Sequence, residues 1–213
     1  SKEQFETDDY FKELYGDLTE AEKTVAYEFL RNCPTAHLKI LYNEKERQYV
    51  MWGPTNPVPM NPTPSNPTPE EPEPAKTFIA TSKSIKGPFK FIKYCENVSG
   101  FVTLFQDADG KAYAAHEGTS GLSLSELSED YMDVQGTEKL TDFSMSEGSI
   151  FQRNGKYYLL NTLASKYAVS DSLDGPWEEH DFQMSGAGEG LINVGDYSLN
   201  PTACVLPVQT KNG

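Results

Sequence analysis

A chain of 213 residues, of which 37% are hydrophobic and 12% aromatic, is long enough for a substantial core, and its aromatic share favours many short strands over a helical bundle. The net charge of −14 argues against nucleic acid or anionic membrane surfaces as partners, because their phosphates would be repelled. No apolar run is long enough for membrane insertion, and residues 1–4 do not form a signal peptide, so we expect a cytosolic or already processed chain.

The first predicted element is a helix near the N-terminus. Thr19 and Glu22 have the spacing of a capping box, and apolar residues follow at helical intervals before Pro34 ends the run. We predict one helix over residues 19–32, within an N-terminal helical extension of residues 1–34. Its apolar face is expected to pack on the main domain rather than on a separate partner.

A proline-rich stretch follows the first strands. Nine of the chain's 14 prolines lie between Pro54 and Pro74. Proline lacks the amide donor that a sheet requires, so we predict an exposed, extended insertion or linker over residues 54–75. The alternative is a PxxP ligand for an aromatic groove.

Three segments share one plan, in which an apolar strand, a polar hairpin turn, a basic residue and an aromatic strand follow one another. Their aromatic markers are Tyr49, Tyr113 and Tyr158, which stand roughly 64 and 45 residues apart. The proline-rich insertion accounts for the longer interval. A second motif, a serine-rich turn followed by Gly-Pro and an aromatic ring, recurs at residues 80–89 and 168–177. A period of about 45 residues with several short strands is typical of β-propeller blades.

Taken in order, these segments resemble the five-bladed β-propellers of family-43 glycoside hydrolases, nearest to the galactan 1,3-β-galactosidases. The resemblance covers residues 35–53 and 76–208, and residues 209–213 form a tail. It implies an all-β fold with one N-terminal helix. Only about three blades are recognisable, and the family's first catalytic blade and its closing blade have no counterpart. Either those blades have diverged, or another chain or a missing segment completes the ring.

The resemblance also implies a site. Members of the family hydrolyse glycosidic bonds with carboxyl groups on the inner strands of the blades. At the corresponding positions this chain has Ala36 for an acidic residue, Phe101 for an aspartate and Pro201 for a glutamine. The general-acid position falls on Ser146, and the neighbouring Glu147 is the one candidate catalytic residue. Glu147 would need a compensating bulge to point inward, because a shift of one residue reverses the face of a strand.

Four further residues are candidates for substrate binding. Trp52 and Trp177 could stack on a sugar, although packing within the blades is the alternative for both. His116 and Glu117 could line the propeller axis, or form a hydrogen-bonded pair at the surface. We predict no metal and no cofactor: the histidines are scattered, and Asp107-Ala108-Asp109-Gly110 fits a hairpin turn better than a calcium loop. Three cysteines allow at most one disulfide.

Together these features predict a degenerate, non-catalytic propeller module that is secreted and binds carbohydrate or a protein partner. One alternative is an active glycoside hydrolase that uses Glu147 to cleave β-linked galactan or an arabinose-containing glycan. Another is a structural subunit of a larger extracellular assembly. Three blades would leave open sheet edges, so we expect the N-terminal helix, a second copy or a different subunit to cover them.

Overall fold

The computed structural model describes residues 2–32, 37–55, 75–98, 100–117, 122–140, 149–161 and 166–181. The chain divides into two compact units. The first contains Ser1–Gly100 with Asp130–Met132, and the second contains Phe101–Glu129 with Asp133–Gly213. None of the helices in these ranges is long and apolar enough to cross a membrane.

The first unit contains one antiparallel sheet, here called the first sheet, whose strands lie in chain order. Its strands are β1 (Lys39–Asn43), β2 (Gln48–Pro54), β3 (Thr77–Ser82) and β4 (Lys90–Cys95). The predicted hairpin joins β1 to β2, in a register that sets Asn43 opposite Gln48. The strand β2 pairs with β1 on one side and with β3 on the other, and its side chains Val50 and Trp52 are fully buried. It is therefore an interior strand of this sheet.

Three helices precede this sheet: α1 (Lys2–Thr7), α2 (Asp9–Tyr15) and α3 (Glu20–Asn32). The predicted helix is confirmed as α3, and its capping box forms, with Thr19 N donating to Glu22 Oε2 at 2.8 Å. The expected packing is also confirmed, because Ala26 and Phe29 are buried against the first sheet. The prediction of a single helix is wrong. The two additional helices are short. Asp8 caps α2 by accepting from Tyr10 N, and aromatic packing holds both helices.

The proline-rich segment lies between β2 and β3, which pair with each other. Its first proline, Pro54, is the last residue of β2, opposite Thr77, so the expectation that the whole stretch stays out of the sheet is corrected at this position. Thr55 N donates to Lys76 O, and bonding alternates along an antiparallel pair, so the nitrogen of Pro54 points away from β3. The pairing of β1 ends at Trp52, and the missing N–H therefore costs no ladder bond. Residues 56–74 lie outside the described part of the chain.

The second unit contains two more antiparallel sheets of four strands each, also in chain order. The second sheet consists of β5 (Val102–Gln106), β6 (Ala112–Glu117), β7 (Leu122–Leu127) and β8 (Val134–Leu140). The third sheet consists of β9 (Ser149–Arg153), β10 (Lys156–Asn161), β11 (Lys166–Ser170) and β12 (Glu178–Asp181). The two sheets share one core, whose members include Phe105, Leu124, Ile150 and Leu159.

The predicted turns form where the sequence places them. At Asp107 the backbone carbonyl accepts from Gly110 N at 3.0 Å, and Gly110 adopts the positive φ of 87° that glycine tolerates. Asn154 and Gly155 form the corresponding turn between β9 and β10, both with positive φ. The described residues thus contain three four-stranded blade-like sheets, as the repeats predict, and the all-β propeller class is confirmed for this partial propeller.

Candidate functional site

The candidate site lies in the second unit, at the start of the first strand of the second sheet. Phe101 immediately precedes β5, and 43% of its surface is exposed although it is a large apolar side chain. The first strands of the two sheets in this unit, β5 and β9, contact each other. The motif resemblance implies an aspartate at this position in the galactanases, and this correspondence remains a prediction.

The strand register brings two of the predicted binding residues to the same end of the sheet. Val102 lies opposite His116 across the β5–β6 pair. Glu117, the next residue along the chain, is the last residue of β6. Sequence reasoning named Phe101 and His116 but did not place them at the same strand end, because that placement depends on the register of two strands joined by a hairpin.

His116 is buried below this strand end. Its Nε2 lies 3.3 Å from Ser125 Oγ on the neighbouring strand β7, a distance at which one of the two donates a proton to the other. Ser123, directly opposite His116 in the register, has a buried Oγ with no hydrogen-bond partner among the described residues. His116 is therefore a buried, hydrogen-bonded histidine near this strand end, and its burial favours a supporting role over direct exposure to a ligand.

The two tryptophans lie elsewhere. Trp52 is completely buried in the first unit, and its Nε1 donates to Tyr131 O at 2.8 Å. A ring without an exposed face cannot stack on a sugar, so the predicted substrate-binding role of Trp52 is corrected to packing. Trp177 packs against the core between the second and third sheets, whereas His116 follows the core residue Ala115 on its strand and so points to the opposite face. The structure does not bring Trp177 together with His116.

Several positions of the implied catalytic site are not in the described ranges. Ala36, Ser146, Glu147 and Pro201 all fall outside them, as does most of the shortened loop at residues 161–166. Glu147 remains a prediction, two residues before β9 begins at Ser149. Within the described residues, no group of three or more His, Cys, Asp or Glu side chains is arranged to hold a metal ion.

One interaction was missed by sequence reasoning. Tyr157 Oη donates to Asp107 Oδ2 at 2.7 Å, which ties the first hairpin of the second sheet to β10 of the third. This hydrogen bond, together with partial burial and the negative charge of Asp107, raises the pKa of Tyr157 to about 12. Both residues lie in segments that the sequence identified only as a turn and an aromatic strand. Tyr157 and Asp107 are 50 residues apart in the sequence, so no local sequence pattern predicts their hydrogen bond.

Several solved structures with a similar fold are described as β-1,3-galactosidases or exo-β-1,3-galactanases, and another is described as a GH43_1 enzyme from Xanthomonas citri complexed with xylose. A β-1,3-galactosidase of family 43 matches with a TM-score of 0.57 and 21% identity, covering 71% of this chain and 33% of its own. An exo-β-1,3-galactanase from Phanerochaete chrysosporium, solved with galactose, has a TM-score of 0.55 and 21% identity, covering 70% and 36%. An exo-β-1,3-galactanase from Clostridium thermocellum has a TM-score of 0.53 and 24% identity, covering 70% and 35%. This chain therefore spans about a third of the length of these proteins, and the similarity shows a shared fold.

None of the curated protein sequences matches the chain. The family model described as glycosyl hydrolases family 43 matches residues 42–186, which is more than half of the chain. This range contains all three sheets from β2 onward and the Phe101 position. The resemblance inferred from the hairpins and the Gly-Pro motifs is confirmed, and the chain belongs to glycosyl hydrolase family 43.

Proposed function

We propose that this chain is a non-catalytic, secreted propeller module that binds a neutral carbohydrate. The observation that carries the proposal is the exposed ring of Phe101 at the start of β5, where the galactanase pattern has an aspartate. A phenyl ring neither donates a proton nor influences the pKa of a neighbouring acid by charge. The substitution removes a catalytic function and supplies an apolar contact surface in its place.

The other family positions support the loss of hydrolysis. Glycosidases need two carboxyl groups on either side of the scissile bond, whereas this chain has Ala36 and Ser146 at two acidic positions of the pattern and Pro201 at the position of a glutamine. Ser146 and Phe101 lie within residues 42–186, the range that matches the family model. Ala36 and Pro201 lie outside that range, and all four assignments rest on the motif resemblance.

The chemistry around Phe101 favours a sugar as the ligand. Carbohydrate sites combine an aromatic face, which contacts the apolar face of a sugar ring, with a few polar groups that fix its orientation. Glu117, the last residue of β6, is the carboxylate that we propose for hydrogen bonds with the sugar hydroxyl groups. A net charge of −14 disfavours acidic glycans. A β-1,3-linked galactan is therefore the ligand to test first, given what the similar enzymes are described as acting on.

Titration calorimetry with β-1,3-galacto-oligosaccharides, combined with an assay for released galactose, tests this proposal on the full chain. We expect binding without release of sugar. Phe101→Ala should weaken binding by about tenfold, which corresponds to the loss of one aromatic contact of roughly 1.4 kcal/mol. Ile85→Ala is the matched control, because Ile85 is also an exposed apolar side chain at 53% but belongs to a turn of the first unit.

Two results would contradict the proposal. Galactose release by the wild-type chain that disappears in a folded Glu147→Gln variant would show an active hydrolase with Glu147 as its acid. Equal affinities of the Phe101→Ala and Ile85→Ala variants for the oligosaccharide would show that the ligand binds away from β5. An absence of any binding would favour the third alternative, a structural subunit.

A further inference from the structure

The recurring Gly-Pro motif identifies equivalent positions in the first and third sheets. Ala80 and Ala168 occupy the same place in this motif, and Phe89 and Trp177 are its aromatic rings. The register agrees, because Ala80 lies opposite Met51 in the first sheet, just as Ala168 lies opposite Leu159 in the third. These residues therefore mark the same face of two blades.

In the third sheet this face packs on the blade that precedes it in the chain. Ala168 and Leu159 are buried in one core with Phe105, Tyr113 and Leu124 of the second sheet, and Trp177 packs against that core. Blade-on-blade packing of this kind is what builds a propeller.

In the first sheet the equivalent face packs on the helices. Ala80 is buried in a cluster with residues of all three helices, and Met51 and Phe89 pack against the same cluster. The helical members are Phe5, Tyr15, Ala26 and Phe29. The ring of Phe29 lies 4.7 Å from that of Phe78 and 4.4 Å from that of Phe91, measured between centroids. An aromatic layer thus replaces a neighbouring sheet.

Polar contacts hold the helices to the outer strand of the first sheet. Phe91 N donates to Tyr15 Oη at 3.1 Å. Lys90 Nζ lies 2.8 Å from Asp17 Oδ1 and also above the ring of Tyr15, 5.9 Å from its centroid. The bond from Lys90 lowers the pKa of Asp17. These contacts fix the helices at β4, where a sheet would otherwise present an open edge.

We infer that residues 2–32 act as a cap that takes, on the first sheet, the place that a preceding blade takes on the third. Terminal caps of this kind protect the end of a repeat array by covering an apolar face with a polar-surfaced element. A further blade, whether from another chain or another part of this one, can pack on this face only by displacing the helices. The helices would cover the face whether or not the chain binds carbohydrate.

Zero-length carbodiimide crosslinking of the full chain tests the cap, because it joins a lysine and a carboxylate only where they form an ion pair. We expect a link between Asp17 and Lys90. Glu20 and Lys23, 3.0 Å apart within α3, provide a control that links as long as the helix forms. An equal mixture of ¹⁴N- and ¹⁵N-labelled chains shows whether each link lies within one molecule.

The expected result is an Asp17–Lys90 link with both peptides carrying the same isotope. Mixed-isotope links would show that the helices of a second copy cover the face. A Glu20–Lys23 link without any Asp17–Lys90 link would show that the face is uncovered in solution. Either outcome overturns the inference.

A second measurement uses Phe29→Ala, which removes the ring that contacts Phe78 and Phe91. We expect about tenfold faster hydrogen exchange in α3 and concentration-dependent self-association in sedimentation, since the released face is aromatic. Phe11→Ala is the matched control, because Phe11 packs on Phe5 within the helices, with ring centroids 5.1 Å apart. Unchanged exchange and a monomeric Phe29→Ala variant would refute the cap. If the Phe29→Ala variant does not fold, the crosslinking result on the wild-type chain decides whether the cap forms.

Discussion

The hydroxyl of Tyr157 is a single group whose protonation is tied to the packing of two blades. Its hydrogen bond to Asp107 is formed only while the phenol keeps its proton, since the phenolate could not donate and would face a carboxylate. This is why the pKa of Tyr157 rises to about 12. In the unfolded chain the same phenol would titrate near its ordinary value of 10.

The difference between the folded and unfolded pKa values of Tyr157 determines how the stability of the chain changes with pH. The folded state binds this proton more tightly than the unfolded state, so the stabilisation is complete below pH 10 and is lost as the pH rises towards 12. We expect the wild-type chain to lose more stability than Tyr157→Phe between pH 9.5 and 11.5. At neutral pH, Tyr157→Phe should cost about 1 kcal/mol for the lost bond. Urea denaturation at each pH measures both effects.

Spectrophotometric titration tests whether the hydrogen bond to Asp107 causes the raised pKa of Tyr157. In the difference between wild type and Tyr157→Phe, the phenolate absorbance should appear near pH 12 rather than near pH 10. Asp107→Asn should return this transition towards pH 10, because the acceptor charge is gone. A difference spectrum that titrates near pH 10 in the wild type would show that the Tyr157–Asp107 bond is absent in solution.

At the scale of elements, features with a local physical cause were predictable from the sequence. The turn at Asp107–Gly110 follows from a glycine that accepts positive φ, and α3 follows from Thr19 and Glu22. The helices α1 and α2 were missed because six or seven residues do not form a stable helix alone. Their stability comes from tertiary contacts of Phe5 and Tyr15. The candidate site was partly predictable, since Phe101 was found by motif comparison, whereas the pairing of the neighbouring Val102 with His116 depends on the strand register.

The capping box of α3 gives a prediction for a single element. Thr19 N donates to Glu22 Oε2, and Glu22 N donates to Thr19 Oγ1 at 3.4 Å. Thr19→Ala removes the acceptor for Glu22 N and should lower the free energy of unfolding by about 1 kcal/mol.

Thr24→Ala is the control, because the same atoms are removed from the middle of the same helix. Thr24 Oγ1 only bonds back to Glu20 O, and alanine has the higher helix propensity, so this change should be neutral or slightly stabilising. Equal losses in the two variants, measured by urea denaturation, would show that the capping box contributes nothing beyond the change of residue type.

At the scale of the whole molecule, a blade accommodates a long insertion because its two ends are fixed to each other. Thr55 N donates to Lys76 O at 2.7 Å, and Lys76 N donates to Thr55 Oγ1 at 2.9 Å. These bonds continue the pairing of β2 with β3 up to the residues that flank the insertion. The register of the first sheet is therefore set by its strands, and the length of the connection between them is free to vary.

Replacing residues 56–74 with a turn of about four residues that contains Asn-Gly should therefore leave the first sheet intact. Closing a shorter loop costs less chain entropy, by about 1 kcal/mol for this change in length, so the shortened chain should be as stable as the wild type or slightly more stable. Calorimetric Tm and hydrogen exchange at β2 and β3 measure this. The same replacement combined with Thr55→Val, which removes the acceptor for Lys76 N, should lose part of that gain. A large fall in Tm for the shortened chain alone would show that the proline-rich segment packs on the blade and belongs to its core.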